Sequence, residues 1–346
     1  MKNTIGLIVI LFLLACGNDE KKVQKKPKET AVQSTEQKTE EGSQLNDLNV
    51  KIRSDINNKD LYLERAKYFL ARNEIERSAG DITRAFQIDS TYLPTLLLQA
   101  NFLTRNGSLE MGETILNKAN KLYPENSDVQ IGFSELYLIG KSNDKSIQYA
   151  DLAIKYDLFK AKAYYLKGYN FLEIGDTTTA ISSYQTAVEQ DPDYFEAYIE
   201  LGFIFSQKDD PLALQYYKNA LEVRPGDKNA LYVKGMYEQK HEMYNEALAT
   251  YTEATKLHPT FREAHYNLGY VHLFYLKLYS EAKRYFSDAI KVDPRYKEAY
   301  YNRGYAFELL GDINNAKIDY QNALSIDPTY DLAAKGMSRV KNGIVQ

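Results

Sequence analysis

The stretch from Ala161 to Tyr194, AKAYYLKGYNFLEIGDTTTAISSYQTAVEQDPDY, decides the fold, because the chain copies it in both directions. With Ala161 as position 1, Gly168, Ala180, Tyr184, Ala187 and Pro192 occupy positions 8, 20, 24, 27 and 32. A frame moved to Lys297 sets Gly304, Ala316, Tyr320, Ala323 and Pro328 on the same five positions. The chain is therefore a repeat with a period of 34 residues.

Each recurring residue type has a physical reason for its place. Glycine at position 8 and alanine at position 20 lack bulk, so a first helix can lie close against a second where they cross. Larger side chains at positions 4, 11 and 24, such as Tyr164, Phe171 and Tyr184, fill the space above and below. Gly175-Asp176, Gly311-Asp312 and Gly107-Ser108 stand at positions 15 and 16. Glycine accepts the left-handed conformation that ends a helix, and Asp or Ser accepts hydrogen bonds from the free N–H groups that begin the next. Pro192, Pro225, Pro259, Pro294 and Pro328 then stop the second helix, since a residue before proline is driven out of helical dihedrals.

Helix, turn, helix and stop at this period resembles the tetratricopeptide repeat. The resemblance implies an all-α chain, a right-handed α-α superhelix or solenoid of helix-turn-helix repeats. Windows begin at Lys59, Leu93, Ser127, Ala161, Phe195, Lys228, Arg262 and Lys297, about eight repeats over 59–330. The window from Phe195 is one residue short around Asp209-Asp210-Pro211, and that from Arg262 is one residue long around Lys277 to Ser280. Both changes are expected in the turn between the helices, where length is most easily absorbed. The first three windows are degenerate: Ala66, Ala100 and Ser134 hold position 8, and Ser90 and Leu158 replace the proline. These residues are still small at the crossing.

The chain begins MKNTIGLIVILFLLAC, with one charge at Lys2 and an apolar run from Ile5 to Leu14. That run is too short to cross a bilayer as a helix and has the form of a secretory signal. Leu13-Leu14-Ala15-Cys16 resembles the bacterial lipoprotein cleavage box. The resemblance implies loss of residues 1–15 and acylation of Cys16, with palmitate-like chains that hold the membrane at about 0.8 kcal/mol per buried methylene. Cys16 is the single cysteine in 346 residues, so no disulfide framework exists. The expected location is the bacterial outer membrane, lipid-anchored, on the periplasmic face or at the cell surface. Asp19 and Glu20, just after the cysteine, resemble an export signal for surface display.

Residues 16–44 are polar and charged and are expected to form a disordered tether. Leu45, Leu48, Ile52 and Ile56 restore an apolar stripe at helical spacing, which predicts a capping helix over 45–58. Residues 331–346 are expected to supply a C-terminal capping helix and tail, because solenoids need polar-backed ends.

A net charge of −4 provides no basic field for nucleic acid. The sequence holds no Gly-rich phosphate loop, no HExxH and no cysteine-based metal spacing. His265 and His272 fall at positions 4 and 11, where the sister repeat carries Tyr164 and Phe171, so they are packing residues. No catalytic set, metal site or cofactor is expected, and the chain is not read as an enzyme.

Thirty tyrosines stand beside no tryptophan. In the family that the chain resembles, positions 5 and 9 of the first helix face a concave groove. Here position 5 holds Tyr165, Ile199, Tyr232, Tyr266 and Tyr301, and position 9 holds Tyr169, Phe203, Met236, Tyr270 and Tyr305. The first three repeats carry Leu63, Leu97 and Ile131, then Lys67, Asn101 and Glu135. An aromatic ladder along the last five repeats is expected, with Asn267 and Asn302 at position 6 free to bond a bound backbone. The expected function is a scaffold that holds a segment of an envelope protein partner. A glycan stacked on the same rings is the alternative. The Lys and Asn residues with which some relatives clamp a terminal carboxylate are absent from positions 5 and 9 of any consecutive trio.

Overall fold

A computed structural model describes residues 33–343, with side chains from Ser43 onward. Among the described residues there are eighteen α-helices, one short π-helical segment and no strand. Helix α1 is Gln33–Ser54. Helical hairpins follow: α2 (Lys59–Leu70) with α3 (Ile75–Ile88), α4 (Leu93–Arg105) with α5 (Leu109–Leu122), and α6 (Ser127–Ile139) with α7 (Asn143–Tyr156). Next come α8 (Ala161–Glu173) with α9 (Thr177–Gln190), α10 (Phe195–Gln207) with α11 (Leu212–Val223), and α12 (Lys228–Lys240) with α13 (Tyr244–Leu257). The last are α14 (Arg262–Tyr270) with α15 (Tyr279–Val292), α16 (Lys297–Leu309) with α17 (Ile313–Ile326), and the single helix α18 (Asp331–Lys341). The first helix of every hairpin, here the A helix, begins on the residue where its sequence window begins.

The chain divides into two units, residues 1–81 and 82–346. In the first, Leu48 and Ile52 of α1 are buried. Helix α1 starts at Gln33, inside the stretch expected to be tether, because Gln, Glu and Lys without proline favour helix even where nothing apolar calls for it. It ends at Ser54 rather than 58, since Asn58 caps α2 by accepting the Asp60 N–H at 3.2 Å. Ile56 thus lies past the helix and is exposed. Arg65 of α2 donates twice to Asp81, at 2.8 and 2.7 Å, and once to Asn49 at 2.6 Å.

In the last five repeats, all in the second unit, the position-24 ring packs onto the position-8 glycine of its own repeat. A Cβ on Gly202 would stand 2.4 Å from the Tyr217 ring, and one on Gly168 would stand 2.8 Å from that of Tyr184. Glycine is therefore not merely small filler beside the ring but the floor on which the ring lies. Tyr184, Tyr217, Tyr251, Phe286 and Tyr320 are all buried by this contact. At the end of the array Tyr320 lies between two glycines, 3.0 Å from a Cβ on Gly304 and 2.6 Å from one on Gly336 of α18. Its hydroxyl bonds Glu308, which also accepts from Arg339 of α18 at 2.9 and 3.0 Å.

Every turn between paired helices contains a left-handed residue: Gly107, Gly175 and Gly311, but also Asn73, Lys141, Asp209, Glu242 and Lys277. The residue missing from the Phe195 repeat is not taken out of the turn, which keeps its left-handed Asp209, but out of the start of the second helix: α11 begins only at Leu212, after Pro211, and has 12 residues where α9 has 14. The extra residue of the Arg262 repeat is not in the turn. It lies within the A helix, where Val271–Tyr275 widens into a π-helix and returns the chain to register at the left-handed Lys277. A π-turn takes up one more residue without breaking the helix.

Candidate functional site

The A helices of the last five repeats carry the expected ladder, and their positions 5, 6 and 9 behave differently. The position-5 rings are wedges. Tyr165 lies 5.6 Å from Tyr184 and 5.2 Å from Tyr194, centroid to centroid. Tyr266 lies 5.5 Å from Phe286 and 5.1 Å from Tyr296, and Tyr301 lies 5.9 Å from Tyr320 and 5.8 Å from Tyr330. Tyr232 sits 5.6 Å from Phe261. Each of these rings thus joins its repeat to the aromatic residue that precedes the next A helix. Burial drives the Tyr165 and Tyr266 hydroxyls well above the usual tyrosine range, so they stay neutral.

Position 6 is a bolt rather than an open contact. The Asn302 amide donates to the Tyr266 hydroxyl at 2.8 Å, and the Asn267 amide donates to the Met236 sulfur at 3.5 Å. The two asparagines are only 4% and 7% exposed, so the expectation that they bond a bound backbone is corrected: they bond neighbouring A helices instead.

Position 9 remains open. Phe203 is 37% exposed and Met236 43%, while Tyr169, Tyr270 and Tyr305 are half-buried. The π-segment adds Phe274, 4.5 Å from Tyr270 and 6.1 Å from Tyr305, where the rings of two repeats run together. The result is an apolar strip whose supporting rings are fixed from behind and whose most accessible members are Phe203 and Met236. Ile199, at position 5 of the repeat between, is the one aliphatic wedge.

The position-6 residue between Tyr165 and Phe203 is not an asparagine but Glu200 on α10. Its carboxyl is drawn up to about 7 by burial. The hydroxyls of Tyr165, Tyr169, Tyr184 and Tyr217 lie within electrostatic reach of it. This residue was missed in the sequence, where it is one more acidic residue on a helix; the only signal is the register that aligns it with Asn267 and Asn302.

His272 packs against Tyr285 at 5.0 Å with Nδ1 2.7 Å from the Leu268 carbonyl, and His265 Nε2 lies 3.0 Å from the Pro259 carbonyl. Among the described residues no cluster of His, Cys, Asp and Glu is placed to hold a metal ion. No described helix is long and apolar enough to cross a membrane. Cys16 and the signal expected over residues 1–15 lie outside the described residues.

A family described as "TPR repeat" matches residues 168–209 and 242–273. Two described as "Tetratricopeptide repeat" match residues 298–330 and 263–296. The fold is similar to the crystal structure of the C-terminal part of a TPR repeat-containing protein from Cytophaga hutchinsonii, with a TM-score of 0.60 and 20% identity over 70% of this chain and 99% of that one. It is also similar to a crystal structure of the APC/C hetero-tetramer Cut9-Hcn1, with a TM-score of 0.51 and 19% identity over 82% of this chain and 56% of that one. No curated protein matches the chain in sequence.

Proposed function

Because this chain belongs to the tetratricopeptide repeat family, whose fold is a scaffold for protein–protein interaction, we propose that it is a non-catalytic scaffold holding a partner segment along the A helices of its last five repeats. The observation that carries this reading is the division of labour within the strip. Positions 5 and 6 are locked by ring contacts and by the Asn302–Tyr266 bond, whereas Phe203 and Met236 are left exposed beside them. A rigid platform with open apolar side chains binds without first paying to order itself. We further propose that residues 1–16 direct the chain to the bacterial envelope as a lipoprotein, so that the partner is an envelope protein, reached from the outer membrane on the periplasmic side or at the surface.

Photo-cross-linking residues introduced at Phe203 and Met236, and separately at the exposed Ile318 of α17, test the groove in living cells. The expected result is a discrete cross-linked protein at the first two positions and none at Ile318. Equal products at all three, or none anywhere, would overturn the assignment.

A further inference from the structure

Glu200 stands apart from every other residue of the strip. Its counterparts Asn267 and Asn302 are neutral and hydrogen-bonded to the adjacent A helix. Glu200 is half-buried, yet no Lys, Arg or His among the described residues forms an ion pair with it. The lysines of α8 are engaged elsewhere: Lys162 with Glu135 and Lys167 with Asp151, each at 2.8 Å. A carboxylate partly withdrawn from water without a counter-charge is costly, and such groups concentrate where a ligand supplies the missing charge.

A second observation comes from α9. Tyr184 is fully buried, and its hydroxyl has no hydrogen-bond partner. In the last repeat the equivalent hydroxyl, that of Tyr320, is taken up by Glu308, and in the Lys228 repeat that of Tyr251 donates to Gln239 at 3.2 Å. Of these three hydroxyls that of Tyr184 alone is left without a bond, and it lies within electrostatic reach of Glu200. Tyr165, Tyr169 and Tyr217 complete the surround with rings. Phe203, one helical turn beyond Glu200 on α10, opens the same face to solvent.

We propose that Glu200, with the neighbouring Tyr165 and Tyr169, is a subsite for the ammonium or guanidinium of a lysine or arginine side chain on the segment held in the groove. The inference rests on the groove reading above and adds its sequence requirement. The carboxylate supplies the counter-charge, the rings supply cation–π attraction, and Phe203 packs an apolar neighbour of the basic residue.

Selection of phage-displayed random dodecapeptides on the purified chain, followed by binding titrations of the winners, tests this. Wild-type protein is expected to select peptides with a recurrent Lys or Arg. Those peptides should lose at least tenfold in affinity for Glu200→Gln, with the same loss when the basic residue is changed to Gln and no further loss when both changes are combined. Glu200→Gln is isosteric and removes a destabilising charge, so misfolding does not confound it; circular dichroism checks this. Peptides that need Phe203 and Met236 but bind Glu200→Gln as well as wild type would overturn the subsite while leaving the groove. Failure to select any peptide sensitive to Phe203→Ala or Met236→Ala would overturn both.

Discussion

Arg303 and Asp319 face each other across the last repeat in a two-pronged ion pair, Nε to Oδ2 and Nη2 to Oδ1 at 2.7 Å each. They occupy positions 7 and 23, and the first repeat places Arg65 and Asp81 on the same two positions with the same pair of hydrogen bonds. Asp319 is 2% exposed, so its charge depends on the arginine. Removing one partner strands the other, whereas replacing both removes the desolvation cost as well. Asp319→Ala is expected to lower stability by about 3–5 kcal/mol in urea unfolding, and Arg303→Met with Asp319→Leu by far less. Equal losses for the single and double variants would show that packing, not charge, sets the cost.

Gly202 offers a steric test. A Cβ there would stand 2.4 Å from the Tyr217 ring, so Gly202→Ala must displace a buried aromatic and should cost about 1–3 kcal/mol. Gly80, inside α3, has nothing within 4 Å of an added Cβ. Gly80→Ala should therefore stabilise by about 0.5–1 kcal/mol through helix propensity alone. Thermal unfolding of the two variants distinguishes a glycine required by contact from one that is not.

Stability should depend on pH through Glu200. Its folded value of about 7 lies above the ordinary 4.5, so between those two values the folded chain holds a proton that the unfolded chain has lost. That contribution is complete at low pH and disappears as pH rises through about 7; the facing groups Tyr165, Tyr169, Tyr184 and Tyr217 remain neutral throughout. Glu200→Gln should thus gain up to about 3 kcal/mol over wild type at pH 8 and almost nothing at pH 4. Parallel urea melts at the two values measure the difference, and a variant no more stable than wild type at pH 8 would rule out a partly buried, unpaired carboxylate.

Membrane attachment is tested at Cys16. Cys16→Ala is expected to leave an unprocessed precursor or a released chain in fractionation, with loss of labelling by an alkyne palmitate analogue. Unchanged mobility and membrane association would remove the lipoprotein assignment while leaving the groove untouched.

The period was legible because its signals are local: small residues at the crossing, turn residues at positions 15 and 16, and proline at the stop. Each acts within a few residues of itself, so a single chain displays them. The roles within the strip were less legible because they depend on neighbours a whole repeat away. Asn302 looks like a groove residue until Tyr266, 36 residues earlier, takes its amide. The wedge role of Tyr165 needs Tyr194, and the recurrence of Tyr194, Phe261, Tyr296 and Tyr330 before successive A helices was the available clue. The extra residue of the Arg262 repeat was misplaced because Lys277 to Ser280 lacks the Gly-Asp pair that marks the turn elsewhere. Glu200 was passed over since a charge on a helix gives no sign of how deeply it sits.

The widened turn at Val271–Tyr275 also bears on how such a gene can change. One added codon there is healed before the hairpin closes, and in the next repeat Gly304 still meets the Tyr320 ring. The neighbouring repeat keeps its own register while Phe274 of the widened segment stacks on its Tyr305. A one-residue insertion is thus confined to its own hairpin, and the repeat that follows is built as though the lengths had matched.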